Sequence, residues 1–132
     1  MMAKQLTLHL LSERFTINKL PQFAEIPHIF TKGDNCFIVR TEKELSIICP
    51  EFMAPNNVQQ ESGWRCLRVE SQGGLMEVGL LASVINPLTD AGIPLLAVSS
   101  FDTDYFFVIE ENLVNAVQVL QRAGHAFSHK ES

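Results

Sequence analysis

The chain has 132 residues, of which 46% are hydrophobic, enough for one domain or for two very small ones that share a core. Ten Lys and Arg stand against 15 Asp and Glu, a formal charge of −5 with no basic cluster. That balance argues against nucleic acid as a partner, because phosphate contacts dominate such affinity. The cysteines Cys36, Cys49 and Cys66 each sit in an apolar run without CxxC spacing, so buried reduced thiols are expected rather than a zinc site. No apolar run approaches the length of a membrane span. The N-terminal apolar segment is too short for a secretory signal, and a cytoplasmic location is expected.

Residues 6–11 (LTLHLL) alternate Leu with Thr7 and His9, the pattern of a half-buried strand with His9 facing solvent. Residues 12–35 are broken by Pro21, Pro27 and Gly33 and read as irregular chain. Phe15, Ile17, Leu20, Phe23, Ile26 and Phe30 are expected to pin that chain to the sheet. Residues 36–49 read as a hairpin, CFIVR and LSIIC around a TEKE turn, and Pro50 stops its second strand. Residues 51–60 contain Pro55 and an Asn pair, so at most a short helix is expected there. Residues 64–70 (WRCLRVE) form the next strand. The loop that follows, Ser71-Gln72-Gly73-Gly74, matches neither GxGxxG nor a phosphate loop with its Lys-Ser/Thr.

A helix is predicted over residues 77–91, with Leu81, Val84, Ile85 and Leu88 on its apolar face. Pro87 should bend its last turn and Gly92 should end it. Residues 93–99 and 105–109 read as paired buried strands around the polar turn 99–104. A second helix follows Asn112, its expected N-cap, with Leu113, Ala116, Val117 and Leu120 as the stripe and Gly124 as the stop. Residues 125–127 add a last short strand, and residues 128–132 a tail. From residue 64 the order is βαββαβ, and the first half reads as a degenerate copy whose helices have shrunk to turns. The expected modules are residues 1–62 and 63–132.

Catalytic constellations are absent from this reading. His9, His28, His125 and His129 lack metal spacing and are not set beside a nucleophile. His125 and His129 straddle a helix end and are placed at the surface. An acylphosphatase-like reaction would need an arginine in the loop after the strand, whereas Arg68 lies inside the strand. No enzyme activity, catalytic residue, metal or cofactor is expected. What remains is a binding surface. Glu77 at a helix start has an ordinary explanation in the helix dipole, and Asp102 and Asp104 have one in turn conformation. Together, however, Glu77 and Asp104 could hold an ammonium or other cation. Backbone N–H groups at residues 74–77 could take a carboxylate. Those are the two ends of an amino acid.

The run VGLLASVINPLTDAGI (residues 78–93), followed by LLAVSSFDTDYFFVIEENLVNAVQVL (residues 95–120), resembles the ACT domain, a regulatory amino-acid-binding module. It is most similar to the subtype found in the CASTOR arginine sensors and in short bacterial proteins with two such modules. The similarity covers residues 64–124 well and the first half weakly. It implies an α+β fold of ferredoxin-like βαββαβ modules in tandem, with antiparallel sheets and the helices on one side. It also implies a non-enzymatic sensor that binds a free amino acid between modules. The matching positions are Gly74, Leu75 and Glu77 before the helix and Ser100, Phe101 and Asp104 at the hairpin. The arginine sensors carry four modules and this chain two, so a homodimer is expected to build the equivalent interface. The alternative is an assembly module that mediates subunit contacts without a ligand. Neither nucleic acid nor a membrane is expected as a partner.

Overall fold

A computed structural model of the chain describes residues 5–70, 73–74 and 77–128. Leu75, His129 and the end of the expected tail lie outside the described residues. The elements in order are β1 (Thr7–Leu20), α1 (His28–Lys32), β2 (Phe37–Arg40), β3 (Leu45–Pro50), a 3-10 turn (Glu51–Met53) and β4 (Gln59–Glu70). Then come α2 (Leu80–Asp90), β5 (Leu96–Ser99), β6 (Thr103–Ile109), a second 3-10 turn (Glu110–Asn112), α3 (Leu113–Arg122) and β7 (Ala126–Ser128). The class is α+β, with antiparallel β1–β3, β2–β3 and β5–β6 pairs and a parallel β1–β7 pair.

The chain falls into two units: Met1–Ser12 with Arg65–Ser132, and Glu13–Trp64. It therefore changes unit twice, within β1 and within β4, where the sequence reading has one boundary between 62 and 63.

In the first unit the strand order is β7, β1, β4, β6, β5. Leu8 of β1, Leu67 and Val69 of β4, and Phe106 and Val108 of β6 form one cluster with Leu80, Val84 and Leu88 of α2 and Ala116 and Leu120 of α3. Both long helices thus cover one face of this unit's strands. A fully buried Leu or Phe contributes about 1.5–3 kcal/mol of transfer free energy, so this cluster is what fixes α2 beside the β5–β6 hairpin.

α2 starts three residues later than the predicted position 77. Gly79, just before it, has φ 88°, a left-handed conformation that ends regular helix on its N-terminal side and suits glycine. The buried face is also turned by one residue: Leu80, Ser83, Val84 and Leu88 are buried, whereas Leu81 is 41% exposed. Leu80, Val84 and Leu88 at i, i+4 and i+8 form as regular a row as the predicted set, so spacing alone did not choose between them.

Pro87 lies inside α2 and has no N–H to give the Ser83 carbonyl one turn back. His125 fills that gap. Its Nε2 lies 2.7 Å from the Ser83 carbonyl oxygen, and its Nδ1 accepts the Leu6 N–H at 3.0 Å. With Nδ1 accepting, the proton of a neutral imidazole sits on Nε2 and is donated to Ser83. His125 is 4% exposed, which corrects its expected surface position. The end of α3 places it there: Gly124 at φ 102° turns the chain, and the His125 N–H donates to the Leu120 carbonyl at 3.1 Å, as in a Schellman C-cap.

In the second unit the order is β2, β3, β1, β4, around a core of Leu20, Phe30, Leu45, Ile47 and Cys49. Residues 13–20, expected to be irregular, continue β1. Thr16 and Asn18 are fully buried, so this part of the strand is polar inside and hides its alternation. Both are satisfied: Asn18 Nδ2 donates to the Ile47 carbonyl at 2.9 Å, its Oδ1 accepts from Gln60 Nε2 at 2.9 Å, and Thr16 Oγ1 donates to the Glu61 carbonyl at 3.2 Å. Buried polar groups with partners cost little; without them they cost about 1–3 kcal/mol each.

Candidate functional site

The β5–β6 hairpin pairs Ser99 with Asp104. The Ser100 N–H and hydroxyl both donate to the Thr103 carbonyl, at 2.8 and 3.1 Å. Phe101 and Asp102 are therefore the two loop residues, both exposed. Asp104 is a strand residue, not the turn residue of the sequence reading, and its Oδ1 accepts the Ser99 hydroxyl proton. The turn conformation that could explain Asp102 does not explain Asp104.

Glu77 lies before α2 rather than in its first turn, where no acidic residue stands. Its N–H donates to the Gly74 carbonyl at 3.2 Å, and its Oε1 accepts the Gly73 N–H at 2.9 Å. The approach is close: a Cβ at Gly73 would lie 3.0 Å from the Glu77 Cβ, tighter than an ordinary contact. Helix-dipole stabilisation, the ordinary account of Glu77, is weakened by this displacement from the helix end, because the effect fades within a turn.

The two segments meet. A cleft of about 100 Å³ is lined by Gly74, Glu77, Leu80, Leu81, Ser99, Ser100, Phe101, Thr103 and Asp104. Five of the six residues named from the sequence are in this lining, and Leu75 lies outside the described residues. Leu80, Leu81, Ser99 and Thr103 were missed. Leu81 has the helical spacing of a core residue, and Ser99 and Thr103 lie within the polar turn 99–104 without a charge to single them out.

Two carboxylates and two serine hydroxyls line the cleft, with neither Lys nor Arg among the lining residues. Such a lining attracts a cation and repels a second acid. The helix donors lie elsewhere than the sequence placed them. Because α2 begins at Leu80, the N–H groups with no carbonyl one turn behind them belong to residues 80–82. The Glu77 N–H is already engaged with Gly74.

Residues 59–122 match the family described as "ACT domain". This part of the chain is an ACT domain. ACT domains are regulatory modules that bind free amino acids. Over 60 residues the chain is 35% identical to the human "Cytosolic arginine sensor for mTORC1 subunit 1", a match covering 45% of this chain. The chain spans 18% of the length of that relative. Over 98% of both chains it is 32% identical to the crystal structure of protein Atu0741 from Agobacterium tumefaciens, with a TM-score of 0.88. The regulatory subunit of aspartate kinase from Thermus thermophilus has the same fold, with a TM-score of 0.59 over 91% of this chain and 99% of that one, at 11% identity. Among the described residues of this ACT protein, no helix is long and apolar enough to cross a membrane.

Proposed function

We propose that this chain is a non-enzymatic, cytoplasmic regulatory protein that binds a free amino acid in the cleft between the start of α2 and the β5–β6 hairpin. The observation that carries this reading is that Glu77 and Asp104, 27 positions apart by number, line one cleft. Asp104, with Glu77, holds the ammonium group or a cationic side chain. The first-turn N–H groups of α2 at Leu80 and Leu81 take the carboxylate, in place of residues 74–77. Basic and neutral amino acids are favoured over acidic ones. The arginine sensor named above, a relative of this module, is named for a ligand of this class.

The site is completed by a second module. A cleft of about 100 Å³ is well below the roughly 300–1,000 Å³ of a pocket that encloses a drug-sized ligand. Phe101, in its lining, is 73% exposed, and Val78, next to Glu77, is 85% exposed. A homodimer in which these first units face each other would cover both. We read Glu13–Trp64, with its five-residue α1 and three-residue 3-10 turn, as a reduced module of the same kind, so that the chain carries two in tandem.

The test is a thermal-shift and calorimetric screen of the twenty amino acids against wild type. At least one basic or neutral amino acid should raise the melting temperature and saturate. A flat result across all twenty would favour the alternative, an ACT module that mediates assembly without a ligand.

A further inference from the structure

The second unit holds a cluster of sulfur atoms that the amino-acid cleft does not use. Cys36 Sγ lies 3.9 Å from Met53 Sδ. The β2–β3 ladder pairs Phe37 with Ile48, and its register, continued one step past the start of β2, sets Cys36 opposite Cys49. Directly opposed residues on one face bring their Cβ atoms to about 4.5–5.5 Å. Cys36 and Met53 both pack against the cluster that contains Cys49, which puts all three sulfurs on one side. Gly33 leaves room for them: a Cβ there would lie 2.5 Å from Met53 Cε and 3.0 Å from Cys36 Sγ.

From this cluster we infer that Cys36, Cys49 and Met53 form a binding site for a soft monovalent metal ion of the copper(I) class. Two thiolates and a thioether are the ligand set that such ions prefer. Geometry agrees. Metal–thiolate bonds of about 2.3 Å set the sulfurs of a trigonal site about 4 Å apart, close to the 3.9 Å between Cys36 and Met53. Three ligands are one fewer than structural zinc takes, and none of the three is a harder imidazole or carboxylate.

The surroundings support the site. The fully buried Asn18 aims its Nδ2 at Cys49 Sγ from 3.6 Å, a donor ready for a thiolate acceptor. Cys36 is only partly buried and gives an entry path. Each cysteine binds as a thiolate: its S–H bond breaks, an S–metal bond forms in its place, the two protons pass to solvent and the metal keeps its oxidation state.

The experiment is anaerobic titration of the reduced full chain with copper(I) supplied as its bicinchoninate complex. One equivalent should leave the chelator, and a thiolate-to-metal absorption band should appear. Cys36→Ser should weaken binding at least a hundredfold and Met53→Leu about tenfold, while Cys66→Ser, in the other unit, should leave it unchanged. Circular dichroism melts show that each variant is folded; should Cys49→Ser unfold, Cys36→Ser and Met53→Leu still decide. Failure to take copper from the chelator would overturn the inference, as would equal uptake by Cys36→Ser. Mass spectrometry showing instead that mild oxidation links Cys36 to Cys49, with no copper uptake by the reduced chain, would replace it with a redox pair.

Discussion

Asp104 is a strand residue whose partner, Ser99, supplies it with a hydroxyl proton, and it contributes nothing to the buried core. Asp104→Ala should therefore leave the unliganded melt nearly unchanged. In wild type, an amino acid that binds only the folded state should add about 2.7 kcal/mol at a hundredfold excess over its dissociation constant; the variant should lose that increment. Denaturant melts with and without ligand measure both numbers, and an intact increment in the variant would take Asp104 out of the site. A second residue-scale forecast concerns Cys49, whose thiol is raised from the ordinary 9.0 to about 11, by burial first, then by its Cys36 neighbour, against the lowering bond from Asn18. The fold prefers the neutral thiol. Its contribution is full below the unfolded value near 9.0 and is lost as pH rises through about 11. Urea melts across that window should show wild-type stability falling, and Cys49→Ala should make the fall shallower although its stability is lower throughout.

At the scale of the element, α2 shows what a sequence can and cannot specify. Its existence and its C-terminal stop were legible, because four apolar residues recur at helical spacing before a glycine. Its phase was not. Leu80 and Leu81 are both leucine, and only packing against Leu67 and Phe106 decides which is buried. Leu88→Ala should cost about 2–5 kcal/mol. Leu81→Ala should cost less than about 1 kcal/mol, the reverse of what the predicted face requires, and urea denaturation of the pair checks the assignment. The His125 bridge was hidden for a related reason. Pro87 announces a carbonyl without a donor at Ser83, but nothing local in the sequence says that a residue 42 positions later by number will supply it. His125→Ala should cost about 1–3 kcal/mol, because the Ser83 carbonyl and the Leu6 N–H both lose a buried partner. Pro87→Ala restores an N–H one turn after Ser83 and should recover part of that loss. A double-mutant cycle should give a coupling of about 0.5–3 kcal/mol; strict additivity would mean that the two residues do not act on the same carbonyl. Residues 13–20 failed to read as strand because Thr16 and Asn18 put polar groups inside, where alternation is normally counted by apolar ones.

For the whole molecule, the cleft itself points to assembly. Its lining came largely from the sequence, because the motifs on either side of residues 94–98 each carried recognisable residues; its incompleteness did not, because depth and enclosure belong to the folded surface. A ligand held by Asp104 on one side and the α2 N–H groups on the other still faces solvent past Phe101 and Val78, both largely exposed. Polar contacts left open to water are worth little beyond the water they displace, so a cleft of this size gains selectivity only when a second wall excludes solvent. If that wall is another copy, ligand and dimer are linked: whatever factor the amino acid adds to the dimer constant, dimerisation must add to the amino-acid affinity. Sedimentation equilibrium should thus give a dimer whose dissociation constant falls when the ligand is present. Phe101→Ser should shift the equilibrium toward monomer and weaken the ligand together, whereas Val114→Ser, an apolar residue of α3 with nearly the same exposure, should do neither. Were Phe101→Ser to weaken the ligand while leaving the dimer constant untouched, Phe101 would be a wall of a one-copy site, and the second module would have to be removed from the account of binding.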